Sequence, residues 1–338
     1  MGVWGKGNPL SREQRGFPFP QLPSRSSPPK TISKRDRRDM RLFGLTLLCM
    51  TLFASNSVFC RAALVEYGMD PGQYTAVRGL SAAATLCLLG WWHVRQRSKE
   101  ECWWRRVWSQ GSWPGALSLF AYMAFFSWGY VDMPTAAGTL IINATVQFGM
   151  VGWGVRHGVR PGRRQTLCLG VALAGLVALL LPGLTAPPLT GAVFMIGVGL
   201  AWSAYSICGR AAEDAVEATA GNFWRCAPLA ALAGLAGLSS EAAHPVAVAW
   251  AICAGAGASA CGYVIWYMIV PRYSLVNASI IQLSVPVITA LLALATLGEA
   301  ITVRFVLCAA LILGGIALSV LGQGARKEPR NGGEASGR

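Results

Sequence analysis

Ser57-Val58-Phe59-Cys60-Arg61-Ala62-Ala63 and Ser206-Ile207-Cys208-Gly209-Arg210-Ala211-Ala212 are two spellings of one motif, 149 residues apart, and each closes an apolar run. Working outward, Val77-Arg78-Gly79 is paralleled by Trp224-Arg225-Cys226 at an offset of 147, and Ala121-Tyr122 by Gly262-Tyr263 at an offset of 141. Small insertions and deletions account for that slow drift. The chain therefore reads as a duplication, with equivalent marks in the first three apolar runs of each copy.

The runs fall at residues 42–60, 71–92, 112–131, 135–155, 165–183, 190–208, 218–238, 246–269, 276–297 and 303–322. About 20 apolar residues cross the hydrocarbon core as a helix. The ten runs thus predict an all-α polytopic membrane protein with ten transmembrane helices. Five helices per copy is an odd number, so the second copy starts from the opposite face, and the expected architecture is two inverted five-helix repeats. Residues 41–183 form the first repeat and 184–322 the second, while 1–40 and 323–338 read as disordered tails. Pro71-Gly72, Pro161-Gly162 and Pro182-Gly183 mark boundaries, and Asp132 with Pro134 leaves a very tight turn between the third and fourth runs.

Composition agrees with this. Of 338 residues, 54% are hydrophobic and 13% charged, against about 25% charged in soluble domains, and the mean hydropathy is +0.45. That is too little charge to coat a soluble enzyme, and too apolar for a disordered or collagen-like chain. The ten cysteines are scattered without a C-x-x-C pair, as expected of small packing residues rather than metal ligands. No G-x-x-x-x-G-K-[ST] loop is present, so no ATP-hydrolysing motif is found and no cofactor is expected.

Charge is segregated. Ten of the 29 Lys and Arg lie within the first 41 residues. With the N-terminus inside, 25 fall on the cytoplasmic side and only Arg61 and Arg304 outside, while Arg78 and Arg225 lie within runs. The positive-inside rule then places both termini in the cytoplasm. The basic N-terminal tail reads as a solvated topology signal, with Met40 as an alternative start. The first run lacks an A-x-A cleavage pattern and reads as a retained helix. Trp103, Trp104 and Trp108 among Arg105 and Arg106 predict a segment lying on the headgroups. A nucleic-acid role would need a larger basic face, so no nucleic-acid partner is expected.

Further stretches carry a family likeness: Ala54-Ser55-Asn56-Ser57, Tyr74-Thr75-Ala76-Val77-Arg78, Gly262-Tyr263-Val264-Ile265-Trp266-Tyr267, and Gln282-Leu283-Ser284-Val285-Pro286-Val287 followed by Leu297-Gly298-Glu299-Ala300. With the repeat, they resemble the EamA-type ten-helix members of the drug/metabolite transporter superfamily over about residues 41–322. His157-Gly158 stands where the first repeat of that family usually has a Gly-Glu element. The resemblance implies a secondary transporter that exports small metabolites, often amino acids, through a central cavity in a bacterial inner membrane. Its partners would be a small-molecule substrate and the lipid bilayer, with a homodimer left open.

Within the runs, chemistry is sparse. Arg78 sits about seven residues into its run, or about 10 Å at 1.5 Å per residue, and Arg225 lies about as deep from the opposite face. Such a charge costs about 2.5–3.5 kcal/mol or more at the centre of a membrane helix. Each arginine therefore needs a partner or a wet cavity. It either anchors a substrate carboxylate or clamps backbone carbonyls. Trp202 and Tyr205 share a helix face, Tyr263 and Trp266 repeat that spacing, and Tyr267 follows Tyr263 by four. The amides Asn56, Asn143, Gln147, Asn222, Asn277 and Gln282 either join helices or line a cavity. The expected substrate site is Asn56, Arg78, Gln147, Trp202, Tyr205, Asn222, Arg225, Tyr263, Trp266 and Gln282, with no catalytic residue and no metal ligand. No Asp, Glu or His lies deep in a run, which favours a facilitator or exchanger over a proton antiporter. Glu299 reads as a helix cap or a partner of Arg304. A membrane enzyme acting on lipid-linked substrate would need convergent titratable groups, and a non-transporting sensor rests on the tail alone.

Overall fold

Helices follow the hydropathy in the computed structural model, which describes residues 34–97, 103–158, 162–181, 187–209, 214–237, 241–269, 272 and 281–324. Residues 1–33 and 325–338 of the tails, the expected repeat boundary at 183–184, Arg210, Asn277 and the Tyr267 side chain lie outside the described residues, whereas residues 34–40 and 323–324, expected as disordered tail, are helical and extend the first and last helices. Helix α1 (Lys34–Arg61) continues into a π-helical turn at Ala62–Glu66. Then come α2 (Pro71–Arg97), the short α3 (Trp103–Gln110), α4 (Trp113–Asp132), α5 (Thr135–Arg156) and α6 (Arg163–Leu180). The second half holds α7 (Leu189–Gly209), α8 (Ala215–Ala236), α9 (Pro245–Ile252), a π-helical stretch Cys253–Cys261, α10 (Gly262–Ile269), α11 (Ser284–Leu297) and α12 (Val303–Gly324). No strand occurs among the described residues.

The ends have local causes. Asp70 accepts the backbone N–H groups of Gly72 and Gln73 at 2.8 and 3.1 Å, capping α2. Asp214 does the same for α8 through Val216 and Glu217. The Ser112 hydroxyl accepts from Gly115 at the start of α4, with Pro114 in the first turn, where its missing N–H costs nothing. Met133 and Pro134 alone separate α4 from α5, the tight turn expected. Gly298 takes a left-handed conformation (φ 64°) at the end of α11, and the Glu299 N–H folds back onto the Ala293 carbonyl. The helical path is interrupted at Leu283, just before α11. Pro286 has no N–H to offer the Gln282 carbonyl there.

The outer surface inverts the pattern of a soluble protein. Leu167, Val171 and Val177 on α6, and Val306, Leu307 and Leu311 on α12, are exposed. Apolar faces this extensive belong against lipid. Met40–Glu66, Arg163–Leu180, Leu189–Gly209 and Pro245–Trp266 are each long and apolar enough to cross a membrane. α2, α4, α5 and α8 have 27, 20, 22 and 22 residues but spend positions on inward polar and aromatic groups such as Arg78, Tyr122, Thr139 and Asn222. The chain is a polytopic all-α membrane protein.

Helix pairing reveals the duplication. Counting α1 as equivalent to α7, α2 to α8, α4 to the α9–α10 segment, α5 to α11 and α6 to α12, three packed pairs join an element to its own counterpart: α2 with α8, α5 with α11, and α6 with α12. The remaining pairs swap into one another. α4 packs on α8 as α2 packs on the π-helical stretch, and α7 packs on α4 and α5. Correspondingly, Cys49, Met50 and Ala54 of α1 pack with Ile269 of α10 and Val285 of α11. Exchanging the halves maps these main pairs onto one another, as two inverted repeats require, with α1 packed more loosely than its counterpart α7.

Candidate functional site

Aromatic rings from both repeats converge at the middle of the bundle. Trp202 of α7 lies 5.1 Å from the rings of Tyr122 (α4) and Tyr263 (α10), and Phe53 of α1 lies 5.8 Å from Tyr263. Asn56, Asn143 and Gln282 add amides from α1, α5 and the segment before α11. Together they line a cavity of about 70 Å³. That holds a few waters, each needing at least about 10–15 Å³, and is too small for a metabolite without separation of the helices. Among the described residues, none that lines the cavity is Asp, Glu or His.

Arg78 stands directly behind this wall and is fully buried at 0% exposure. Its Nε donates to the Ser259 hydroxyl at 3.2 Å and Nη2 to the Tyr122 hydroxyl at 3.4 Å. The guanidinium lies 4.8 Å from the Phe126 ring centroid and 5.3 Å from that of Tyr122, both wall residues. The π-helical stretch makes this approach: Gly255 packs so closely on α2 that a Cβ there would stand 2.3 Å from the Arg78 carbonyl oxygen. π-Helical turns of this kind recur at functional sites.

The expected site residues separate into three groups. Asn56, Trp202, Tyr263 and Gln282 line the cavity, and Arg78 backs it. Tyr205 stacks behind Trp202 and Tyr263 at 5.6 and 6.4 Å, and Trp266 lies 6.0 Å from Phe53, among side chains joining α1 to α10 and α11. Gln147 is half-buried on α5 and is not part of the lining. Asn222 and Arg225 are elsewhere. The Asn222 amide oxygen accepts the Ser112 N–H at 2.8 Å. Arg225 donates to the carbonyls of Gly221 and Trp108, with its guanidinium 4.5 Å from the Trp108 ring. Both side chains fasten α8 to the α3–α4 corner. Arg225 reaches those carbonyls because Gly111 and Gly221 bring the backbones together, a contact that no Cβ would fit.

Phe53, Tyr122, Phe126 and Thr139 also line the cavity without having been expected there. Tyr122 had a signal, since it is the repeat partner of Tyr263. A phenylalanine in an apolar run carries none.

Two acids sit at helix starts, as a cap and a residue beside a loop were expected to, but with other partners. Glu299 pairs not with Arg304 but with Arg61, at 3.4 Å, and accepts the Thr135 N–H and hydroxyl at 2.8 Å each. Arg304 instead donates to the carbonyls of Ala178 and Leu181 at the end of α6. Glu217, expected beside a loop, is 2% exposed and pairs with Arg106 of α3 at 3.1 Å. A larger hollow of about 410 Å³ adjoins Arg61 and Glu299. Its charges neutralise each other, whereas beside the central cavity Asn56 Oδ1 and Arg78 Nη1 are buried polar atoms without a hydrogen-bond partner.

The EamA-like transporter family matches residues 42–181 and again 189–321. An uncharacterized protein of Pseudomonas aeruginosa is 39% identical over 292 residues, which are 86% of this chain and 99% of that protein. A solved crystal structure of a protein 18% identical covers 86% of this chain and 99% of its own, with a TM-score of 0.58, and shares the fold. With the family pattern present twice, on a bundle whose main helix pairings survive exchange of the halves, the chain belongs to the EamA-like transporter family of the drug/metabolite transporter superfamily.

Proposed function

We propose that this membrane transporter is a secondary carrier that exports or exchanges small organic metabolites, amino acids among them, by alternating access of the two repeats. One observation carries the reading: a small cavity, walled by aromatics and amides from both repeats, at the centre of a two-fold-related bundle. Rocking one repeat against the other exposes such a site first to one side and then to the other. In this reading Asn56, Trp202, Tyr263 and Gln282 contact the solute, Arg78 acts from behind them, and Tyr205 and Trp266 hold the rings in place. Asn222, Arg225 and Gln147 serve the scaffold. The absence of Asp, Glu and His from the described residues of the lining supports a facilitator or exchanger over a proton antiporter. The Lys and Arg asymmetry supports cytoplasmic termini, and the family membership, with a relative in Pseudomonas aeruginosa, supports a bacterial inner membrane.

Counterflow in proteoliposomes tests the reading. Vesicles loaded with a panel of unlabelled amino acids and other metabolites should accumulate the labelled counterpart of at least one, and protein-free vesicles should not. Loss of accumulation with Arg78→Ala would tie that transport to the central site. A folded protein that moves no member of a broad panel would count against a carrier.

A further inference from the structure

The central site carries a charge that nothing around it balances. A guanidinium keeps its proton at any accessible pH. The groups touching Arg78 are a serine hydroxyl, a tyrosine hydroxyl and two aromatic rings, all neutral. Of the described acids, Asp70 and Asp214 accept backbone N–H groups, Glu217 pairs with Arg106 and Glu299 with Arg61, while Glu66, Asp132 and Glu241 lie at or beyond helix ends and, like the other four, are not among the contacts of Arg78. One positive charge therefore stands a single side chain behind a small cavity inside the membrane, where salt does not screen it. Arg78 Nη1 is a buried donor without a hydrogen-bond partner, and the Tyr263 hydroxyl on the cavity wall lies close to the same guanidinium. A buried donor left unpaired in this way awaits an acceptor.

We infer that the site takes a net-anionic solute, an organic carboxylate with no compensating ammonium, in preference to a zwitterion or a cation of the same shape. The inference rests on the reading of this cavity as the solute site of a carrier and narrows its substrate class, ranking neutral amino acids below simple organic anions. A carboxylate beside Tyr122 and Tyr263 neutralises the Arg78 charge. A zwitterion brings its own positive charge into the same few ångströms and leaves the loaded site as charged as the empty one. A cation doubles the charge. The rings of Phe53 and Trp202 accept the apolar remainder of the molecule.

The test uses full-length protein in lipid nanodiscs and in proteoliposomes, with matched triads that differ only in charge. Suitable triads are propionate, alanine and ethylamine; 3-methylbutyrate, valine and isobutylamine; and 3-phenylpropionate, phenylalanine and phenethylamine. Three sizes keep a steric mismatch from deciding the result. In any triad that binds, the anion should bind about tenfold or more tightly than the zwitterion, and the cation should not bind. Arg78→Gln should abolish the preference, and Arg78→Lys should preserve its order. If Arg78→Gln does not fold, Tyr263→Phe and the wild-type triads still decide. Equal or tighter binding of the zwitterion, a preference that survives Arg78→Gln, or no binding in any triad overturns the inference. Anion binding without counterflow keeps the site and removes the carrier. Counterflow with the order reversed keeps the carrier and removes the anion site.

Discussion

Arg78 and Arg225 hold equivalent places in the two repeats and end in different surroundings. Arg78 meets hydroxyls and rings behind the central cavity, while Arg225 spends its donors on the Gly221 and Trp108 carbonyls. Position alone made both legible as buried charges. Their partners were not legible, because they lie on other helices. For Arg225→Ala the expected outcome is a stability loss of about 1.5–3 kcal/mol, the worth of a hydrogen bond to a charged group. Thermal unfolding in detergent should show it, with the order of substrate preference unchanged. A changed preference at wild-type stability would return Arg225 to the substrate site. Glycine gives a sharper residue-level contrast. A Cβ at Gly255 would stand 2.1 Å from the Ser81 hydroxyl and 2.3 Å from the Arg78 carbonyl oxygen, whereas one at Gly257 meets nothing within 4 Å. Gly255→Ala must push α2 and the π-helical stretch apart and should lose most of the monodisperse protein on gel filtration. Gly257→Ala, in the same stretch, should behave as wild type.

Among the elements, the α4–α5 turn and its neighbours show where sequence reading succeeds and where it stops. Pro134 is a local signal, and the chain turns there as expected. The N-terminus of α5, however, has no side-chain cap from its own neighbours. Glu299 supplies it from 164 residues away, after the left-handed Gly298 swings the chain off α11. Arg61 completes the junction by donating to the Tyr130 carbonyl at 2.9 Å while pairing with Glu299. No spacing rule predicts a cap built across the bundle, which is why Arg304, the nearest arginine in sequence, was the natural but incorrect partner. Likewise Glu217 sits in the first turn of α8, a place usually solvated, and is buried because α3 folds over it with Trp103 and Val107 facing inward. Glu299→Ala removes a cap and an ion pair together. Losing a helix cap costs about 0.5–2 kcal/mol, and the partly exposed ion pair adds no more than about 1 kcal/mol. Glu299→Gln keeps an acceptor for the Thr135 N–H and should recover most of the loss. Equal melting temperatures for Glu299→Gln and Glu299→Ala would show that the charge, and not the cap, is what matters.

At the scale of the whole molecule, the duplication does not make two domains. The dominant packing joins helices of opposite halves: α4 with α7, α6 with α12, α2 with α8, and α5 with α7. A half on its own would therefore present its inward glycines and polar groups, including Asn56, Arg78 and Thr139, to lipid rather than to a partner. Buried polar groups that lose their partners in hydrocarbon are costly, so an isolated half has little to hold it in its native form. The two halves together retain all of those contacts, since division at the repeat boundary, between residues 183 and 184, falls after α6 ends at Leu180 and before α7 begins at Leu189. Expressed alone, residues 1–183 and residues 184–338 should each be degraded or aggregate. Expressed together, they should co-purify through a tag on one half and regain the wild-type binding profile. A half that is monodisperse by itself would mean that the repeats fold independently and dock late, and the interlocked packing described here would then follow folding rather than drive it.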